Sequence, residues 1–191
     1  IANVYVTNGY MTPEMLDVAL PPGEPPLIDA ANVDLKAFRD GFYRQECGAH
    51  LQPVLDALKT LKERGVWVEV TTLVIPGRND SEEELRDIAR FVAGDLGADT
   101  PWHISRFHPT YRLTDAPPTP VSTLVRAREI GREEGLRFVY VGNVPGHDGE
   151  NTYCPQCGER VIGRQGFRIG QTDLREGACA HCGAAIAGVW G

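Results

Sequence analysis

The sequence contains 191 residues, of which 42% are hydrophobic and 24% are charged, and its net charge is −7. This length is enough for one sizeable core with a small appendage. An acidic surface repels phosphate backbones, which disfavours nucleic acid as a partner. No apolar stretch approaches the roughly 18 residues of a membrane span, and the first residues do not read as a signal peptide. We therefore expect a cytoplasmic protein with no membrane partner.

Strand and helix signals alternate from the beginning of the chain. Residues 4–7 read as a strand, and Thr12 followed by Pro13 begins a short helix. Residues 31–37 read as a second strand. Apolar side chains then recur at helical spacing over 51–61, which predicts a longer helix.

The later strands and helices continue this alternation. Residues 66–75 are a long β-branched run that predicts the third strand, and a capping box at Ser81 begins the next helix. Residues 102–107 and 138–141 read as strands on either side of a helix over 119–134. Alternation of this kind is typical of βαβ crossovers, so we predict an α/β fold with a parallel sheet.

Polar residues occupy one face of several predicted strands. In the second strand, Asn32, Asp34 and Lys36 share a face by the two-residue period, and apolar residues fill the other face. Because unpaired charges are not buried in a packed layer, the polar face is expected to line a cavity. This favours the wet interior of a wide or incomplete barrel, with a doubly wound sheet as the alternative. Similar polar positions occur in the third and fourth strands: Glu69, Thr71, Arg106 and His108.

Four of the five cysteines form two matched Cys-x-x-Cys-Gly knuckles. The first knuckle contains Cys154 and Cys157, the second contains Cys179 and Cys182, and Cys47 stands alone. Each knuckle directs two thiolates at one ion, and four thiolates complete a closed tetrahedral shell. We predict a structural zinc ion here. Two disulfides, a redox dithiol or a rubredoxin-type iron are the alternatives.

The composition changes after Gly146, where the long periodic segments end. We therefore predict a barrel-like domain over 1–146 and a small zinc-ribbon-like module over 147–191. A module of about forty residues cannot build an adequate core alone, so we expect the metal to be needed for its folding. His181 lies inside the second knuckle, but four thiolates already complete the shell, and we leave it out of the ligand set.

Charged residues near predicted strand ends are the candidates for chemistry in the first domain. Asp34 and Lys36 can hold a zwitterionic or hydroxyl-rich ligand, or they can be an internal ion pair. His108 is either a ligand contact or a structural histidine. Enzymes with parallel sheets place their ligands at the carboxyl ends of the strands, where these residues are expected.

Several segments follow one another in a distinctive order: Val-Thr-Asn-Gly-Tyr (6–10), Asp-Ala-Ala-Asn-Val-Asp-Leu-Lys-Ala-Phe (29–38), Phe-Tyr-Arg (42–44), Val-Ile-Pro-Gly (74–77), Trp-His-Ile-Ser-Arg-Phe-His-Pro (102–109) and Tyr-Val-Gly-Asn-Val-Pro-Gly (140–146). Taken together, these segments resemble radical S-adenosylmethionine (SAM) enzymes. More narrowly, they resemble the radical enzyme of the AmmeMemoRadiSam system, a relative of the pyruvate formate-lyase-activating enzymes. That family also ends in two Cys-x-x-Cys-Gly knuckles.

The resemblance implies a partial (β/α)6 barrel in which a 4Fe–4S cluster reductively cleaves SAM. The resulting 5′-deoxyadenosyl radical abstracts hydrogen from a substrate. Asn8 and Gly9 match the turn near the methionine part of SAM. Asp34 and Lys36 match a strand that contacts SAM, and His108 matches a histidine near the adenosine.

The sequence departs from this family in one major respect. The family holds its cluster with a Cys-x-x-x-Cys-x-x-Cys loop, which this sequence lacks, and Thr71 stands where the activating enzymes carry an arginine. We therefore expect the chain to be the C-terminal part of a longer enzyme, without the first two βα units and inactive alone. Its exposed sheet edges predict association or poor solubility. The alternative function is a non-catalytic zinc-binding module that docks a protein partner.

Overall fold

A five-stranded parallel sheet forms the larger part of the computed structural model, which describes residues 1–190. The strands lie in sequential order, so each pairs with the strands before and after it in the chain. Their bounds are β1 Val4–Thr7, β2 Ala30–Asp34, β3 Trp67–Val74, β4 Trp102–Arg106 and β5 Val139–Gly142.

Helices connect consecutive strands. Two of them begin at the caps expected from the sequence: Thr12 Oγ1 accepts from Met15 N, and Ser81 Oγ accepts from Glu84 N, both at 3.2 Å. The bounds are α1 Pro13–Ala19, α2 Asp40–Phe42 with a π-helical turn over Tyr43–Cys47, α3 Leu51–Glu63, α4 Glu82–Phe91 with a π-helical turn over Val92–Leu96, and α5 Val121–Glu133.

The strand order places the helices on one face of the sheet. Crossovers between parallel strands are right-handed, and a sheet that advances in one direction then carries each crossover on the same side. A doubly wound sheet reverses its strand order and is covered on both faces. The doubly wound alternative is therefore wrong for this chain, and the second face of the sheet is left without helices.

The two faces of the sheet differ in burial, as the alternation of polar and apolar residues in the second strand predicted. Val33 and Leu35 are fully buried against the helices, while Asn32 and Asp34 are only partly buried on the open face. On the helix face, the indole of Trp102 is completely buried, and its Nε1 donates to Thr72 Oγ1 at 3.0 Å. The apolar core thus lies between the sheet and its helices, and the polar face is free to form a site.

The predicted polar face of the fourth strand was wrong for Arg106. This residue shares its face with Trp102 and Ile104, and its register partner on β3 is the buried Val74. Arg106 lies at the strand end, where its Nε donates to the carbonyl of Thr119 at 2.8 Å. Arg106 is on the core face because it lies four residues after Trp102, whose side chain fills the core.

The first strand forms an exposed edge of the sheet. Val4 is 67% exposed and Val6 is 83% exposed, and β1 pairs on one side only, with β2. An unpaired edge of this kind is a template for further strand pairing. Association of the isolated chain stays a prediction.

The C-terminal segment is antiparallel and has its own small core. Its buried side chains include Val161 and Ile162 together with Phe138, which immediately precedes β5. The segment thus packs against the parallel sheet, and the division of the chain at residue 146 stays a prediction. Its elements are a 3₁₀ turn Asp148–Glu150, β6 Thr152–Tyr153, β7 Arg160–Gln165, β8 Arg168–Thr172, β9 Leu174–Arg175 and β10 Ala178–Cys179.

Over residues 1–190, none of the helices combines the length and apolarity that a membrane crossing requires.

Candidate metal centre and cofactor site

The four knuckle cysteines converge on one point. The sulfur atoms all lie within 4.8 Å of one another, although two come from near β6 and two from the β10 region. The Sγ atoms of Cys154 and Cys182 are 3.6 Å apart, and those of Cys157 and Cys179 are 3.7 Å apart. Neither distance is the roughly 2.05 Å of a disulfide, so the disulfide alternative does not describe this arrangement.

The spacing of the sulfur atoms fits a single metal ion. A tetrahedron with metal–sulfur bonds of about 2.3 Å has sulfur–sulfur edges of about 3.8 Å, close to the two cross-knuckle distances. A 4Fe–4S cluster binds each thiolate to a different iron and so holds the sulfur atoms further apart. The donor set and its geometry thus fit one ion such as zinc.

Backbone amides of each knuckle point at the sulfur atoms. Burial alone would raise the pKa of Cys154, but hydrogen bonds from the amides of Cys157 and Gln156 lower it to about 7. The amide of Ala184 also hydrogen-bonds to the Cys182 sulfur and acts to lower its pKa, but burial and the neighbouring thiols of Cys154 and Cys179 leave that pKa above the ordinary value. These donors stabilise thiolates, which are the form that binds metal.

His181 is outside the metal centre, as predicted. Its side chain is exposed, and its Nε2 lies 3.7 Å from a carboxylate oxygen of Asp173. The cluster of possible ligands contains the four cysteines and does not include this histidine.

The first predicted SAM-binding residues lie in the turn that follows β1. Asn8 is exposed, and its Oδ1 accepts from the amide of Tyr10 at 3.0 Å. Gly9 is buried with φ of +71°, and an added Cβ would lie 2.7 Å from Val33 Cγ1 and 3.0 Å from Val54 Cγ1. The close approach of β2 and α3 therefore fixes the turn that contains Asn8.

Asp34 and Lys36 lie at the end of β2 and form an ion pair. The Lys36 Nζ is 2.6 Å from Asp34 Oδ2, and both side chains are a little over one-third exposed. The hydroxyl of the buried Tyr43 accepts from the amide of Lys36 at 3.0 Å, which fixes the backbone between them. The ion pair between Asp34 and Lys36, one of the two interpretations of the sequence, is therefore present. Both side chains remain accessible to a ligand from the face of the sheet without helices.

His108 follows β4 at the same edge of the sheet and is exposed. Three inter-strand spacings of about 4.8 Å separate β1 from β4, which places the predicted positions across about 14 Å of this edge. The structure therefore puts Asn8, Asp34, Lys36 and His108 along one edge without direct contact between His108 and the others. An elongated ligand is needed to touch all of them.

A second polar cluster lies on the open face, further from this edge. His103 Nε2 is 2.7 Å from Glu69 Oε2, and Trp67 Nε1 donates to Glu69 Oε1 at 3.1 Å. The His103 ring also stacks on Tyr140, with ring centroids 5.0 Å apart. The alternating pattern predicted Glu69 on this face, but His103 and Tyr140 were not predicted there. The two-residue period counted from the buried Trp102 would have found His103.

A cavity of about 680 Å³ lies between this cluster and the C-terminal segment. The Arg164 guanidinium lies 5.6 Å from the centre of the Tyr140 ring, and the Tyr140 hydroxyl bonds to Thr152 at 3.0 Å. Glu69 and His103 line the sheet side of the cavity, and Phe167 lies at its hairpin side. This volume is in the range of small-molecule sites.

Low pH should reduce the free energy of unfolding, in part because it protonates Glu69. Burial acts to raise the pKa of this carboxyl, but hydrogen bonds from His103 and Trp67 and the charge of Arg164 outweigh it, so the pKa lies below the ordinary 4.5. Stability from this group is therefore present above the unfolded pKa and is lost as pH falls through the folded pKa. We expect the urea-unfolding free energy of Glu69→Gln to fall less between about pH 6 and pH 3 than that of the wild type.

The control for this experiment is Glu24→Gln, at an exposed loop position. The wild type, Glu69→Gln and Glu24→Gln all lose metal on acidification. A difference in how their unfolding free energies change with pH therefore reports on Glu69 alone. Equal slopes in all three would show that the pair with His103 does not contribute to stability.

The region that contains Asn8, Gly9, Asp34 and Lys36 also matches a known family. Residues 1–92 match the family model of the Radical SAM superfamily. This part of the chain is therefore similar to radical SAM proteins. The chain is also 50% identical over 186 residues to an uncharacterized protein of Methanocaldococcus jannaschii, in an alignment that covers 96% of this chain and 54% of that protein. The chain thus spans about half the length of this relative.

Several solved structures share the fold of this chain. A domain of a pyruvate-formate lyase-activating enzyme from Bacteroides vulgatus has a TM-score of 0.61 at 15% identity, over 73% of this chain and 80% of that chain. A radical SAM methyltransferase from Sphaerobacter thermophilus has a TM-score of 0.58 at 20% identity, over 76% and 43%. SuiB from Streptococcus suis has a TM-score of 0.58 at 12% identity, over 75% and 33%. At these identities the likeness shows the fold alone.

The cysteines of this chain do not fit a 4Fe–4S cluster. Four of the five converge at the spacing of one ion, and the fifth, Cys47, lies alone in the π-helical turn after α2. Burial raises the pKa of the Cys47 thiol, which disfavours its thiolate form. Any cluster that serves this sheet must take its ligands from outside this sequence.

Proposed function

We propose that this chain is the later part of a radical SAM enzyme. Residues 1–146 would supply the last strands of a partial (β/α)6 barrel, and residues 147–191 a zinc-ribbon-like module. The sequential parallel sheet, with helices on one face and polar groups on the other, supports this proposal. The match of residues 1–92 to the Radical SAM superfamily is the observation that carries it.

The proposed role of the sheet is to hold SAM at the carboxyl ends of its strands. Asn8 and Gly9 would form one end of the site, Asp34 and Lys36 its middle, and His108 the adenosine end. The ion pair at Asp34 and Lys36 can exchange for the ammonium and carboxylate of a methionine group, because both side chains are partly exposed. The cluster that reductively cleaves SAM would be bound elsewhere in the full-length enzyme, whose substrate site would be the cavity beside Glu69 and His103.

The narrower proposal is the radical enzyme of the AmmeMemoRadiSam system, related to the activating enzymes. The two Cys-x-x-Cys-Gly knuckles support it, because that family shares them at its C-terminus. We retain the cytoplasm as the proposed location, since metal-binding thiolates require a reducing compartment.

A full-length protein that includes the segment preceding Ile1 tests the enzyme proposal. After anaerobic reconstitution with iron and sulfide, it should convert SAM to 5′-deoxyadenosine on reduction. Asp34→Ala should weaken SAM binding about tenfold, because it removes one charged contact. The control Asp56→Ala changes an exposed carboxylate of α3 that bonds to Gln52. Absence of both an iron–sulfur chromophore and 5′-deoxyadenosine would contradict the proposal.

Protein docking is the second candidate function. The hairpin of β7 and β8 exposes two apolar side chains, Phe167 (108%) and Ile169 (70%), and exposed apolar side chains that lie together are typical of interaction sites. A pull-down by the full chain that is lost in Phe167→Ser, with unchanged metal content, would favour this function. Loss of SAM binding in Asp34→Ala would favour the enzyme.

A further inference from the structure

A second cavity, of about 510 Å³, lies behind the sheet, between α5 and the first cysteine knuckle. Arg128 and Arg132 line it from α5, and Arg137 lines it from the loop that leads to β5. Tyr153 and Cys154 line the side of the C-terminal segment. Three arginines around one cavity are unexpected in a protein with a net charge of −7.

The arginines of α5 differ in how they are paired. Arg126 lies 3.0 Å from Glu82 and 2.7 Å from Glu133, and is neutralised by these carboxylates. Arg128 and Arg132 are one helical turn apart, and no carboxylate within residues 1–190 lies in ion-pair distance of either. The guanidinium groups of Arg128 and Arg132 therefore have no ion-pair partner among the residues that the structure describes.

Arg128 is held in place by neutral groups. Its Nε donates to the carbonyl of Val139 at 3.2 Å, and its guanidinium lies 6.0 Å from the centre of the Tyr153 ring. Burial lowers the pKa of Arg128, and the nearby charge of Arg132 lowers it further. An anion bound between the two guanidinium groups would relieve this repulsion.

The remaining charges around the cavity are already engaged. Arg137 binds both carboxylate oxygens of Asp99 at 3.0 Å. Among residues 1–190, Asp148 is the one carboxylate that lines the cavity; its Oδ1 accepts hydrogen bonds from the Tyr153 hydroxyl and from Asn151 Nδ2, and its charge acts on Arg128. Asp148 is nevertheless beyond ion-pair distance of both Arg128 and Arg132, so an incoming anion has no ion pair to displace at these two arginines in the described part of the chain.

We propose that Arg128 and Arg132 bind the anionic oxygens of a small molecule, as a phosphate or carboxylate group, in this cavity. The volume exceeds that of a single phosphate ion, so the anionic group is one part of a larger ligand. The site is independent of the proposed SAM site, because it lies on the helix side of the sheet. Two forked guanidinium groups suit tetrahedral or planar oxyanions.

Calorimetric titration of the metal-loaded chain with inorganic phosphate, and separately with succinate, at fixed ionic strength tests this proposal. Saturable binding of either anion is expected, and the tighter of the two identifies the type of group. Arg132→Ala should weaken that binding about tenfold or more. Arg126→Ala, on the other side of the same helix, should leave the affinity unchanged.

Arg128→Lys provides a second variant that keeps the charge but loses the forked donor, and it should weaken binding by a smaller factor. Equal affinity in wild type and Arg132→Ala would overturn the proposal, as would no binding of either anion. A third result would also overturn it: weaker zinc binding in Arg132→Ala without anion binding. The arginines would then serve to offset the charge of the four thiolates.

Discussion

Replacing Cys179 with serine is expected to release the bound metal ion and to unfold much of the C-terminal segment. The sulfur of Cys179 is buried and belongs to the four-sulfur cluster, and the segment has few other buried side chains. Structural zinc contributes about 10–16 kcal/mol of apparent binding free energy in small modules, far more than this core can replace. Metal analysis should show one equivalent per chain in the wild type and a near-complete loss in the variant.

Cys47→Ser is the matched control, because Cys47 lies outside the cluster. It should retain one equivalent of metal and wild-type hydrogen exchange over residues 150–190. In Cys179→Ser, the amides of β7 and β8 should exchange rapidly, while those of β3 and β4 remain protected. A variant that keeps both its metal and its protected hairpin would show that three thiolates suffice. The metal in the wild type also decides between zinc and a rubredoxin-type iron.

Gly9→Ala is expected to lower the free energy of unfolding by about 3 kcal/mol. A left-handed backbone costs a residue with a Cβ about 1–2 kcal/mol, and overpacking of a core costs about 1–3 kcal/mol more. Both apply at Gly9, where φ is +71° and the new Cβ would lie 2.7 Å from Val33 Cγ1. Chemical denaturation with and without the substitution measures the difference.

Gly48→Ala separates the two contributions. Gly48 also has a left-handed backbone, with φ of +62°, but no atom lies within 4 Å of a Cβ added there. It should therefore cost only about 1–2 kcal/mol. Equal losses in the two variants would mean that β2 and α3 yield to the new methyl group. The turn at Asn8 would then not be held by packing.

Much of the fold could be predicted because it depends on local patterns. Alternating periods gave the strands and helices in order, and the caps at Thr12 and Ser81 form as expected. The cysteine knuckles could be predicted because ligand spacing within a loop is local chemistry. A doubly wound sheet and an incomplete barrel both alternate strands with helices, so the sequence alone could not distinguish them. The sequential strand order excluded the doubly wound sheet.

The second polar cluster could not be predicted in the same way. Glu69, His103 and Tyr140 are far apart in sequence, and only the register of β3, β4 and β5 brings them together. The face of Arg106 was misread because burial stops alternating where β4 ends: Arg106 is only partly buried although it shares the core face, and Phe107, just after the strand, is buried. Likewise, Phe138, which lies next to β5, packs in the core of the C-terminal segment, and a local sequence pattern does not predict such a tertiary contact.

The cavity beside β5 has one wall from the sheet and another from the hairpin that follows the metal knuckle. A molecule held between two parts of a protein strengthens their contact by its own binding free energy, and this linkage is reciprocal. Occupancy of the cavity should therefore raise the affinity for the ion, and removal of the ion should reduce the affinity of the cavity for its ligand by the same factor. The fraction of metal that a chelator withdraws at equilibrium then becomes a way to screen for ligands of the cavity.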